Sequence, residues 1–392
     1  MHYGFETMVN SLFVFGTRPE AIKLAPVILH MQSRPAEFRV RVAVTAQHRE
    51  MLDQALAVFR ITPDYDLNTM TGGQSLAASA SRILAALEPV YADARPDIVF
   101  VQGDTTTTLY GAMAAFYAGI PVGHIEAGLR TGDMAQPFPE EMNRVLTGRL
   151  AAIHFASTEG ARRNLLAEDI ADQTIHVTGN SGIDAVLNVA RQLASGELPP
   201  TNWDFLNPAR HLVVVTAHRR ESFGGGFENI CRALRAIAAR PDVTIVYPVH
   251  RNPNVQDPVQ HHLAGVANIH LIEPLTYAPF VDLMRRATIL LTDSGGIQEE
   301  GPSLGKPVVV MRDKTERPEA VEAGTVWLVG TDEGRIVQEV TRLLDDEGLR
   351  EAMSRIHNPY GDGHASERIA DATLAFFGGV SGVPGYRRTR FS

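Results

Sequence analysis

Four residues of acid–base type stand where an apolar run ends or a helical pattern begins. Asp104 follows the run 96–101, Glu126 ends the run from Ile120, Glu140 opens the pattern after Pro139, and His218 follows 212–216. Carboxylates and an imidazole brought to one place can transfer protons. Glu126 lies at the end of an apolar strand beside a glycine, where a carboxylate has little hydration and few structural duties; desolvation there raises its pKa toward a value useful for proton transfer. Asp104 either caps the helix begun by Thr105–Thr108 or faces a ligand. Glu140 either steadies a helix dipole or joins the acid–base set.

A second group reads as anion chemistry. Thr292-Asp293-Ser294-Gly295-Gly296-Ile297-Gln298-Glu299-Glu300 follows an apolar run and leads into a helix. A strand, a Ser-Gly-Gly turn and a helix N-terminus gather free backbone N–H groups around one point, and the peptide dipoles favour a phosphate there. Ser294, Gly295 and Gly296 thus offer phosphate contacts, and Glu300, about one turn further, offers a carboxylate to a ribose hydroxyl pair. Arg317 can pair with phosphate oxygens or fix a neighbouring carboxylate. Arg18 and Lys23, in Gly16-Thr17-Arg18-Pro19-Glu20-Ala21-Ile22-Lys23, add cations after the first strand. The two groups together suit acid–base chemistry beside the diphosphate of a nucleotide ligand.

The elements that must position these residues alternate. Strands are expected at Val9 to Phe15, Arg39 to Thr45, 96–101, 120–126, 152–156 and 174–180, with helical patterns between them. A second series follows at 212–216, 243–247, 269–272, 287–291 and 306–311. The runs are nearly continuous in apolar residues, as in parallel sheets covered on both faces. Every polar cluster falls at a strand's C-terminal end, where doubly wound sheets bind ligands. This predicts an α/β chain of two Rossmann-like domains, 9–190 and 205–365, facing a cleft. Residues of about 191–210 carry weak periodicity and many breakers, and form the linker. The pattern Ile369, Ala372, Phe376 predicts a helix over 366–377 packing back on the first domain, before a tail.

Composition narrows the class. The 392 residues exceed one ordinary core, and 44% hydrophobic with 21% charged residues excludes a disordered chain. A net charge of -9 gives no footprint for nucleic acid or an anionic membrane. The single cysteine, Cys231, excludes an internal disulfide and a cysteine metal cluster, and suits a reducing cytoplasm. The N-terminal stretch lacks a basic region and a long apolar segment, so neither a secretion signal nor a membrane span is expected. The histidines show no metal-ligand spacing. Gly224-Gly225-Gly226 does not match a dinucleotide fingerprint, so no nicotinamide cofactor is expected.

Gly16-Thr17-Arg18-Pro19-Glu20, Gln102-Gly103-Asp104-Thr105-Thr106-Thr107-Thr108, His124-Ile125-Glu126-Ala127-Gly128-Leu129-Arg130, His218-Arg219-Arg220-Glu221 and Asp293–Glu300 resemble the motifs of the non-hydrolysing UDP-N-acetylglucosamine 2-epimerases. The resemblance runs from about residue 9 to Ile369. It implies a GT-B fold and reversible conversion of UDP-N-acetylglucosamine to UDP-N-acetylmannosamine for surface polysaccharides. The implied path is anti elimination of UDP to 2-acetamidoglucal, then re-addition with C2 inverted, without metal or other cofactor, in a cytoplasmic homodimer. By position, it places catalytic roles on Asp104, Glu126, Glu140 and His218. It places nucleotide contacts on Arg18, Lys23, Leu275, Phe280, Ser294, Gly295, Gly296, Glu300 and Arg317.

Some members of that family bind a second UDP-N-acetylglucosamine as an activator. Gln47, His48, Gln74, Glu140, Arg219 or Arg220, and His250 resemble that region, although Gly73 stands where some relatives have arginine. The alternative readings are a GT-B glycosyltransferase using a UDP-sugar donor, a hydrolysing epimerase releasing free N-acetylmannosamine, and a non-catalytic UDP-sugar sensor.

Overall fold

The computed structural model describes residues 8–46, 49–69 and 74–378. They form two compact units, one made of residues up to Ala185 together with those from Tyr360 onward, the other of Val186–Pro359. The division falls inside the helix Ser181–Ser195. The expected linker residues just beyond it are held in place: the Thr201 amide and Trp203 Nε1 donate to buried Asp282 at 3.3 and 3.1 Å.

In the first unit, β1 (Val9–Phe15), β2 (Phe38–Val44), β3 (Tyr65–Asp66), β4 (Ile98–Gln102), β5 (Val122–Ala127), β6 (Ile153–Ala156) and β7 (Ile175–Val177) form one parallel sheet. Their order is β3-β2-β1-β4-β5-β6-β7. Helices cover both faces, which is why β4 is buried along its whole length. On one face the Phe13 and Phe100 rings stack at 4.8 Å and Phe155 lies 6.1 Å from Phe100. Gly123 on β5 leaves these rings their space, since a Cβ there would stand 2.7 Å from Phe100 and 3.3 Å from Phe155. On the other face Leu12, Val14, Val99 and Val101 join Ile83, Leu87 and Ala112 from helices Leu76–Ala94 and Thr106–Tyr117.

The helix Ala365–Gly378 completes this unit by packing on helix Arg18–Gln32. Asp184 accepts from the Ala365 and Ser366 amides at 3.2 and 2.8 Å, and Arg34 pairs with Asp371 at 2.6 Å. The Asn180 amide donates to the Tyr360 carbonyl at 2.7 Å.

In the second unit, β8 (His211–Thr216), β9 (Val243–Pro248), β10 (Ile269–Ile272), β11 (Ile289–Thr292), β12 (Val308–Val310) and β13 (Val326–Leu328) form a parallel sheet in the order β10-β9-β8-β11-β12-β13. The expected pair of Rossmann-like sheets is therefore present, with β3 and β13 as additions of two and three residues. Each sheet reverses its winding once, between β1 and β4 and between β8 and β11. A doubly wound sheet opens a crevice at that point. Among the described residues no helix is long and apolar enough to cross a membrane.

Candidate active site

The first unit's crevice is built on a buried carboxylate that sequence reading passed over. Thr17 and Glu20 form a reciprocal cap of helix Arg18–Gln32. Glu20 Oε2 accepts from the Gly16 and Thr17 amides at 3.1 and 2.8 Å, while Oε1 accepts from Thr105 Oγ1 at 2.8 Å. One side chain thereby ties the turn after β1 to the turn after β4. Gly16 is required by the closeness of this seam: a Cβ would stand 2.2 Å from Thr45 Oγ1 and 2.6 Å from Thr107 Oγ1. Arg18 opens the helix half-buried, and burial pulls its guanidinium below the ordinary range. It has no acidic partner among the described residues.

β4 ends at Gln102, and Gly103 turns the chain at φ 70°. Thr105 caps helix Thr106–Tyr117 by accepting from the Thr108 amide at 3.1 Å, so Asp104 is not the cap. The Asp104 carboxylate lies 3.3 Å from Arg144 Nη2, and Arg144 Nε lies 3.2 Å from buried Glu141. Burial pushes the Asp104 carboxyl up to about 6; Glu126 and Glu140 push the same way, while Arg144 and Lys23 pull it back. Glu126 and Glu140 are therefore close enough for their charges to reach Asp104.

Glu126 differs from the expectation of a carboxylate with few structural duties. Lys23 Nζ donates to its two oxygens at 2.5 and 2.7 Å, Gln102 Nε2 donates to Oε2, and Asn180 Nδ2 donates to Oε1 at 3.4 Å. Its backbone holds φ 62°, where a side chain other than glycine is uncommon, and the β5–β6 register slips beside it. Strain of this kind re-aims a side chain. Lys23 is thus a counter-ion for Glu126. Glu140 is the first residue of helix Glu140–Leu150, half-buried, and Pro139 before it makes no side-chain cap.

The second unit uses the same device with opposite wiring. Fully buried Asp293, from the turn after β11, accepts from the His218 and Arg219 amides after β8 at 2.5 and 2.7 Å. Its Oδ1 lies 3.4 Å from His218 Nδ1. Burial lowers the His218 imidazole, Asp293 supports its charged form, and His250 and Arg219 oppose it. The His250 ring stacks on His218 with centroids 5.4 Å apart. Helix Gly295–Ser303 follows Ser294, whose side chain does not cap it. Arg317 covers that end: a Cβ on Gly295 would stand 2.8 Å from its Cζ, and Arg317 Nε donates to Glu299 at 2.7 Å. Glu300 lies near Tyr277, whose hydroxyl is raised by burial and then by that charge. Tyr277, two residues after Leu275, begins the helix that carries half-buried Phe280.

The family model for UDP-N-acetylglucosamine 2-epimerase matches residues 30–374. The chain belongs to the UDP-N-acetylglucosamine 2-epimerase family. The 2-epimerase of Escherichia coli strain K12 is 59% identical over 366 residues, covering 92% of this chain and 97% of that one. The crystal structure of the Neisseria meningitidis 2-epimerase bound to UDP-GlcNAc is 49% identical with a TM-score of 0.86, covering 93% of this chain and 99% of that one. The Methanocaldococcus jannaschii 2-epimerase in complex with UDP-GlcNAc and UDP is 33% identical with a TM-score of 0.75, over 93% and 99%. The GT-B assignment read from the sequence is that of these relatives.

Within this 2-epimerase chain the sequence-selected residues divide into two sets. Arg18, Lys23, Asp104, Glu126 and Glu140 sit on the crevice edge of the first sheet; His218, Leu275, Phe280, Ser294, Gly295, Gly296, Glu300 and Arg317 belong to the second unit. Of the activator candidates, Gln47 and His48 lie outside the described residues. Gln74 accepts from Arg82 at 3.0 Å in the first unit. Arg219, exposed Arg220 and exposed His250 flank His218 in the second. Sequence reading missed Glu20, Arg144 and Asp293 as organisers. Glu20 was within reach, because Thr17-Arg18-Pro19-Glu20 is a capping-box spacing. Arg144 carried only its position four residues after Glu140, and Asp293 stood unread inside the glycine motif.

Proposed function

We propose that this chain interconverts UDP-N-acetylglucosamine and UDP-N-acetylmannosamine at C2, without hydrolysis, by eliminating UDP and adding it back. The observation that carries the reading is the gathering of three carboxylates of unequal environment: Asp104 displaced up to about 6, Glu126 held by Lys23, and Glu140 half-buried at a helix start. Carboxylates held in unequal surroundings suit removal of a proton by one and delivery by another. Membership of the 2-epimerase family supplies the substrate class.

In the forward direction the C1–O bond to UDP breaks and its electron pair leaves with the diphosphate. The growing positive character at C1 acidifies C2–H, a carboxylate takes that proton, and the C2–H electrons form the C1–C2 double bond of 2-acetamidoglucal. In the return step the C1–C2 double-bond electrons take a proton at C2 from a protonated carboxyl on the opposite face, while a diphosphate oxygen rejoins C1. The uncapped N-terminus of helix Gly295–Ser303, Arg317 and Arg18 stabilise the departing charge. Glu300 holds the ribose, with Leu275 and Phe280 beside the nucleoside, and His218 orients or protonates the diphosphate. Each proton-transfer group contributes about 10²–10⁴-fold. The reading includes a cytoplasmic homodimer serving surface polysaccharide synthesis; the low cysteine content supports the compartment, and the family resemblance alone supports the rest.

Proton NMR in D₂O with UDP-N-acetylglucosamine, without metal or acceptor, tests it. UDP-N-acetylmannosamine deuterated at C2 is the expected product. Free N-acetylmannosamine with UDP means a hydrolysing enzyme, and binding with no change at C2 means a glycosyltransferase or a sensor.

A further inference from the structure

Three consecutive peptide carbonyls in the turn after β4 are each taken by a buried side chain from a different element. The Gln102 carbonyl accepts from Thr108 Oγ1 at 2.6 Å, the Gly103 carbonyl from His124 Nε2 at 2.8 Å, and the Asp104 carbonyl from Asn143 Nδ2 at 2.8 Å. Thr108, His124 and Asn143 are all buried. A buried polar side chain is costly unless its hydrogen bonds are made, and an apolar residue would fill these core positions without that cost. Their polarity is explained by the turn they hold.

A carbonyl oxygen only accepts, so the His124 proton sits on Nε2. Its Nδ1 is buried without a hydrogen-bond partner, and burial pushes the ring's pKa down to about 3. The imidazole is therefore neutral throughout the working pH range and transfers no proton. It serves as a fixed donor.

The origin of the donors is informative. His124 stands two residues before Glu126 on β5, and Asn143 stands three residues after Glu140 on helix Glu140–Leu150, one above the other on that helix. We infer that His124 and Asn143 are positioning residues: each tethers one of the two peptides flanking Asp104 to the element that carries one of the other two carboxylates, and together they set the spacing of the acid–base set. This rests on the proposed epimerisation, and extends it from which groups act to what holds them in register. Thr108 anchors the same turn from its own helix. Displacing a reacting group by about 1 Å costs about 10²-fold in rate, so the tethers are expected to act on turnover.

The test compares His124→Gln with His124→Asn. A glutamine amide reaches the place of Nε2 and keeps the bond to Gly103; an asparagine amide reaches only the place of Nδ1. Both variants are polar and differ by one methylene, so loss of fold does not separate them. The expected result is a kcat within about threefold of wild type for His124→Gln and about 30- to 100-fold lower for His124→Asn. The affinity for UDP, by titration calorimetry, should stay within about threefold in both, because the tethers act on the carboxylates. Asn143→Asp, isosteric and on another element, should lower kcat in the same way at unchanged UDP affinity. Equal kcat in His124→Gln and His124→Asn, or losses that fall on UDP affinity in place of kcat, would overturn the inference while the wild-type chain still turns over UDP-N-acetylglucosamine. A wild-type chain with no such turnover would overturn the function together with it.

Discussion

Replacing Asp104 by asparagine removes a charge that the folded chain accommodates poorly above pH 6. Its carboxyl stands at about 6 against an ordinary 3.8, chiefly through burial. A raised carboxyl means that the folded chain binds the proton more tightly than the unfolded one. The stability contributed by this group is therefore greatest below 3.8, is lost as pH rises from 3.8 through 6, and stays lost above that window. At about 1.4 kcal/mol per tenfold in proton affinity, the whole window corresponds to ~3 kcal/mol. Two features reduce the gain from the substitution: the side chain retains 29% exposure, and asparagine leaves the Arg144 guanidinium, 3.3 Å away, without its charge partner. About 1–2 kcal/mol remains, or roughly 3–6 °C for a unit of this size. Calorimetry of both chains at pH 5, 6, 7 and 8 reads the effect. The melting temperature of Asp104→Asn relative to wild type should climb between pH 5 and 7 and then level off, while turnover falls by about 10²–10⁴-fold. A difference that does not vary with pH, or that moves in favour of wild type as pH rises, refutes the reasoning.

Other substitutions probe the remaining contacts. Lys23→Met leaves Glu126 with amide donors only and should destabilise the chain by about 2 kcal/mol in denaturant titration; adding Glu126→Gln should recover most of that, and additive losses would contradict the pairing. Gly295→Ala drives a methyl into the Arg317 guanidinium and should weaken UDP binding about tenfold or more by calorimetry; unchanged affinity would remove Arg317 from the nucleotide contacts. Asp293→Asn takes away the charge that supports the protonated His218 ring, so the His218 titration followed by NMR should move to lower pH. An unmoved or rising titration would show that Asp293 does not govern it.

The strand pattern was legible because parallel strands covered on both faces carry uninterrupted apolar runs, and their ends were placed within a few residues. β3 and β13 left no such mark: Tyr65–Asp66 is too short for any period, and Val326–Leu328 borrows its place from pairing with β12. The candidate residues were legible as types at strand ends, yet their partners were not. Lys23 looks like a ligand cation in sequence, and only the fold shows that it also pairs with Glu126, 103 positions away. The capping role open to Asp104 went to Thr105 because a hydroxyl one residue later reaches the Thr108 amide. His124 lies within an apolar strand pattern, and nothing local shows that a carbonyl from the turn after β4 waits opposite it.

The return of helix Ala365–Gly378 to the first unit has a consequence for how the chain is made. Synthesis delivers the first sheet early, but Asp184, Arg34 and the exposed face of helix Arg18–Gln32 wait for partners near the C-terminus. The second unit, Val186–Pro359, is continuous and can finish while those partners are still inside the ribosome. The half of the protein that emerges first is therefore the half that is completed last. A stop codon just before residue 365 should spare the later unit and leave the earlier one with an uncovered apolar helix, a nascent chain for chaperones to hold.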